Sequence, residues 1–223
     1  MKKMLAALTI SLLSIIVITP AHAQLKDLLP GGGAKKGGGG GDIGAQVKSF
    51  IDRSTLINSL AVNALKTINA AYASDEDIKK AQAEMKTMDA ITDPKEKAAK
   101  MNEAYKTEKA KAEENIKSKD IQEKTKNLSA EKQKLIASSV GNFLIAALQA
   151  GELSSDGQNI MQSASANPMD LPKVAPVKDA LPLLADAVSV STKVIPGFVK
   201  VLQGANIEVP KVTAKSTPEE TKF

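Results

Sequence analysis

Between Ile43 and Ile68 the apolar residues return every three or four positions, through Val47, Phe50, Ile51, Ile57, Leu60, Ala61, Ala64 and Leu65. With about 3.6 residues per turn, that spacing gathers them on one broad face, so the segment reads as an amphipathic helix ending near Ala73. Lys48, Asp52, Thr55, Ser59 and Lys66 fall largely on the other face. Such a helix is stable only when its apolar face is covered, and the helical period continues down the chain to supply the cover. The fold class expected is therefore all-α, an elongated multi-helix bundle over residues 43–205.

Start and stop signals divide the bundle. Ser74 with Asp77 three residues later approximates a capping box for a helix to about Ala90. Asp93-Pro94-Lys95-Glu96 combines an N-cap, a first-position proline and an acid at the third position. The helix it opens is predicted to run to about Asn127, roughly 50 Å. That helix is highly charged, with acid-first pairs at Glu96/Lys100, Glu113/Lys117 and Asp120/Lys124 and a thin apolar seam of Ala98, Met101, Tyr105, Ala112 and Ile116. So narrow a stripe suits a coiled-coil-like hairpin with one neighbour.

Ser129 and Glu131 start a further helix through Leu135, Ile136, Val140, Phe143, Leu144, Ala147 and Leu148, with Gly151 as its stop. Ser155 and Gln158 propose a short helix to Ala166. Pro168, Pro172 and Pro176 then suggest an extended connection before a last helix from about Asp179, with Pro182 in its first turn. Pro196-Gly197 should split this helix, and Gly204 should end it. Beyond Ala205, residues 206–223 read as an extended and then disordered tail, rich in Pro, Thr, Glu and Lys.

Upstream of the bundle, residues 24–42 hold the glycine runs 31–33 and 37–41 and read as a flexible linker. The letters Gly39 to Gly44 match a dinucleotide fingerprint, but no strand precedes them, so a spacer is the better reading. Residues 1–23 have the form of a secretion signal. Lys2 and Lys3 precede an apolar run to Ile18, Pro20 breaks it, and Ala21-His22-Ala23 provides a small-x-small site. Cleavage after Ala23 would leave a protein in a Gram-negative periplasm or outside the cell. The apolar run is shorter than the roughly 20 residues of a membrane span.

The residue inventory then removes whole classes of chemistry. There is no cysteine or tryptophan, and the single histidine is His22, inside the leader. Without the leader there is no Ser-His or Cys-His pair, no imidazole metal site, no thiolate and no disulfide. Carboxylates, lysines, hydroxyls, Tyr72 and Tyr105 remain. Asp75, Glu76 and Asp77 could begin an oxygen site for calcium, but no loop around them supplies six to eight oxygens, and acids in a first turn complement the helix dipole. Loss of Lys2 and Lys3 leaves 28 basic against 25 acidic residues, a net of +3. Aromatics are 3% of the chain, and the lysines are interleaved with acids. That pattern provides neither a basic stripe nor stacking platforms for nucleic acid.

No catalytic, cofactor-binding or metal residue is assigned, and no cofactor is expected. The reading is a non-enzymatic helical protein that presents a surface to another protein or to an envelope component, with peripheral membrane contact and self-association compatible with the same role. The alternative is a membrane-active protein, pore-forming or lipid-binding, using the uncharged stretch 135–151. Ser54 to Leu65 is similarly uncharged. Polar residues in both stretches, and their short length, suit buried bundle helices better.

Overall fold

The computed structural model describes residues 42–221, and among these the regular structure is entirely helical. The leader through Ala23 and the glycine-rich linker before Asp42 lie outside the described residues. Helix α1 spans Ile43–Ala71, and Asp42, expected in the linker, is its N-cap, accepting the Gly44 N–H at 2.9 Å. The helix starts amphipathic. From Ala64 to Ala71, however, every residue is buried, because α1 passes through the middle of the bundle.

Helix α2 (Asp75–Asp89) is capped by Ser74, which accepts the Asp77 N–H. Helix α3 (Pro94–Lys117) is capped by Asp93, which accepts the Glu96 N–H at 2.7 Å. The expected continuation to Asn127 is broken. Ser118 takes an extended conformation, its hydroxyl donates to the Asp120 carboxylate, and a separate helix α4 covers Ile121–Asn127. Local side-chain bonds of this kind give the backbone an alternative to another helical turn. The break also lets Ile121 and Thr125 enter the interior. The neighbour that covers the thin seam of α3 is mainly α1.

Helix α5 runs unbroken over Ala130–Ser165, about 54 Å at 1.5 Å per residue. Neither the stop expected at Gly151 nor the cap expected at Ser155 exists. Ala150, Leu153, Gly157, Ile160 and Ala164 continue the buried face past both points. The hydroxyls of Ser154 and Ser155 donate backwards to the carbonyls of Ala150 and Gly151, as they do inside helices.

The proline-rich connection is also more helical than expected. A 3-10 turn over Leu171–Val174 leads directly into α6 (Ala175–Lys193). Pro172 and Pro176 occupy first-turn positions, where a missing N–H costs nothing, and Pro182 consequently falls inside α6 on an exposed position. The split at Pro196-Gly197 is present: α7 spans Ile195–Gly204. Gly197 is there for proximity, since a Cβ would overlap the Ile116 side chain of α3. Although α7 ends at Gly204, the left-handed residue is Asn206 (φ 59°). The N–H groups of Asn206 and Ile207 close the end on the carbonyls of Gln203 and Leu202 at 3.0 and 2.9 Å.

The central pair is α1 against α5, with α6 packed on both and α3 on α1. Phe50, Phe143, Phe198 and Tyr105 are its largest fully buried side chains. Arg53 and Asp156 tie the central pair at its rim, 2.9 Å apart. Residues 207–221 are not a free tail. They are ordered against the bundle, with Ile207, Val209 and Val212 on the core and Pro218 buried.

Candidate functional site

The described residues contain no group of three His, Cys, Asp or Glu placed to hold a metal ion. The acids weighed for calcium form the first turn of α2, where Asp77 accepts from the Ser74 hydroxyl and Glu76 pairs with Lys80. The Ser74 bond holds the Asp77 carboxyl below its ordinary range, with Lys80 assisting. These contacts fit a helix cap. Of the letters Gly39 to Gly44, the last lies exposed in the first turn of α1.

The charged helix α3 compensates for its thin apolar seam with polar contacts. The side-chain amide of Asn69 donates to both the main-chain oxygen and the carboxylate of Glu108, at 2.8 and 2.7 Å, and accepts from Asn115 at 3.0 Å. Glu108 also meets Lys111 at 3.1 Å. About three turns earlier on α1, Asn58 donates to Asn102. On the side facing α6, Lys109 donates to both oxygens of Asp186 at 2.7 and 2.9 Å. The Tyr105 hydroxyl is buried beside that pair without a hydrogen bond of its own. Burial first, and the neighbouring Asp186 charge second, push its pKa well above the ordinary tyrosine value. The Lys109–Asp186 pair beside the buried phenol ties α3 to α6.

Among the described residues, a further surface lies along α5. A groove of about 610 Å³ opens between α5, α6 and the C-terminal segment, floored by Leu144, Ala147 and Gly151 and walled by Val188 and Val212. Leu148 stands in it, 45% exposed. The lining is apolar except at Glu152, Ser191, Thr192 and Lys211.

Beside this groove, α5 holds the C-terminal segment through side chains directed at main-chain groups. The segment leaves α7 at Asn206 and passes Gly141 with Pro210. It reaches Gln149, whose amide donates to the Ala214 carbonyl at 2.9 Å. A turn closed by Ser216 N–H on the Thr213 carbonyl reverses it. The returning arm brings Glu219 to Asn142. Asn142 donates to the Glu219 carbonyl and accepts the Glu219 N–H, both at 2.8 Å, while Ser138 donates to the Glu219 carboxylate. At about 100° per residue, positions 138, 142 and 149 lie within some 40° of one another on the helix. Polar groups in the uncharged stretch 135–151 therefore do not point to water. They read a peptide.

None of these binding residues follows from the motifs in the sequence. The available signals were the shared face of Ser138, Asn142 and Gln149 and the alternating burial pattern that begins at Ile207 and Val209. Neither a protein-family model, nor a curated protein, nor a solved structure matches this chain.

Proposed function

We propose that the protein is a non-enzymatic helical module, exported to the periplasm or beyond, that holds another protein or an envelope component against its α5–α6 face. The observation that carries this reading is the groove beside the docked C-terminal segment, where Leu148 remains 45% exposed in an otherwise apolar lining. Apolar surface left open beside polar rim groups is the usual make-up of a docking site.

A lipid-binding version of this reading rests on the same groove, to which Leu144, Ala147, Leu148 and Gly151 of the stretch 135–151 contribute, and not on insertion of the whole stretch. The apolar window in Ala130–Ser165 is 72% buried and is used by the core. A photo-crosslinking residue in place of Leu148 tests the proposal in the native host, with the same residue in place of exposed Glu96 as control. Discrete adducts from position 148 and none from position 96 are expected. Equal adduct patterns from both positions would overturn it.

A further inference from the structure

The way α5 holds Glu219 carries the reading further. Asn142 is 3% exposed and engages both main-chain groups of a single residue, the pattern by which one strand reads its neighbour. Two features of the occupant are read in addition: the carboxylate, by Ser138, and the preceding Pro218, which is buried. Main-chain pairing does not depend on which chain supplies the peptide. The recognition therefore specifies a chemistry, an extended Pro-acidic step, and the chain's own Pro218-Glu219 satisfies it.

The attachment is local. The returning arm is joined to the bundle through the turn at 213–216, and the bonds from Asn142 and Ser138 converge on Glu219. Release of Glu219 needs no helix to move. It would expose Ser138 and Asn142, the polar groups that select, while the groove that holds Leu148 keeps Pro210 to Val212 among its walls.

We propose that this face is a docking site for an extended Pro-acidic segment of a partner protein, and that the C-terminal arm is the latch which occupies the site until such a segment displaces it. The proposal rests on the interaction reading above and names the partner's chemistry and the device that regulates access.

A tethered occupant competes at an effective concentration in the millimolar range, so a free peptide gains only when the latch is weakened. The probe is a labelled synthetic peptide with the sequence of residues 212–221, added to the full chain. Replacing exposed Glu219 by proline (Glu219→Pro) removes the N–H that Asn142 accepts and the carboxylate that Ser138 meets. Anisotropy titration should show the peptide binding Glu219→Pro at least tenfold more tightly than wild type. Equal binding to the two, or no binding to Glu219→Pro, would overturn the latch.

Because the chain has no cysteine, the double variant Ser138→Cys, Glu219→Cys offers a second measurement that does not rest on the proline variant's folding. Its oxidised, intramolecularly bridged monomer should not bind the peptide, and reduction should restore binding. Binding unaffected by oxidation would again overturn the proposal. Should the peptide fail while position 148 still gives discrete adducts, the latch is wrong and the interaction surface stands.

Discussion

The amide of Asn142 and the main chain of Glu219, 77 residues apart, form a closed two-bond pair with both distances at 2.8 Å. It fastens the C-terminal segment to the longest helix of the bundle. Asn142→Ala removes both bonds and leaves the Glu219 groups to water, so a loss of about 1–3 kcal/mol is expected. Hydrogen exchange at Glu219 should accelerate and the segment after Thr213 should become sensitive to protease, while the α1 amides stay protected. Unchanged protection at Glu219 would show that the segment is held by its apolar contacts alone.

Two glycines of α5 should respond in opposite directions to alanine. A Cβ at Gly157 would sit 2.7 Å from Phe50 Cε2 and 3.0 Å from Leu181 Cδ2. The gain in helix propensity is then outweighed by overpacking, with a net destabilisation of about 1–3 kcal/mol. At Gly151 the nearest foreign atom is Val188 Cγ2 at 3.9 Å. There the propensity gain of about 0.5–1 kcal/mol should appear as added stability. Urea denaturation of both variants decides the matter, and a stabilised Gly157→Ala would refute the close packing of α1, α5 and α6.

Both tyrosines have raised pKa values. Burial is the larger cause at each, opposed at Tyr72 by its bond to Thr125 and reinforced at Tyr105 by Asp186. An unfolded tyrosine ionises near pH ~10. Above that pH the unfolded chain binds fewer protons than the folded one, so stability falls as pH rises. The contribution is complete below pH ~10 and is lost as pH climbs through the folded values. Thermal melts should be flat in this respect to about pH 9.5 and decline beyond it. Tyr105→Phe, whose hydroxyl has no bond to lose, should make the decline shallower. Absorbance at 295 nm should register ionisation only as helical ellipticity is lost.

The buried state of residues 135–151 bears on membranes. Inserting this stretch into hydrocarbon would require releasing Asn142 and Gln149 from the C-terminal segment, at a few kcal/mol for each group left unpaired. Protein beginning at Gln24 should therefore leave dye-loaded anionic and neutral liposomes intact. Dose-dependent leakage, with the helical spectrum retained, would favour the pore-forming alternative.

Local signals were legible wherever a single side chain decides the outcome. Asp93, Ser74 and Ser129 each cap the helix that the sequence assigns to them, since an N-cap bond involves only its own first turn. Gly151 and Ser155 misled because their effect depends on distant partners: the buried face of α5 outlasts one weak position, and tertiary packing overrides propensity. Ser118 and Asp120 misled in the opposite sense, as their mutual bond is invisible to periodicity. The candidate site was the least legible part. The C-terminal segment has a disordered composition when taken alone, and Ser138, Asn142 and Gln149 on one side of α5 give Ala214 and Glu219 their places to bind.

That dependence sets an order on the birth of the molecule. A chain growing at about 5–20 residues per second delivers Glu219 some 4–15 seconds after Asn142. Throughout that interval the amide of Asn142 lacks its main-chain partner, while the groove is completed only once Val188 and then Pro210 to Val212 have been added. Of the described residues, those made latest therefore decide when this surface closes, as Glu219 docks on Asn142.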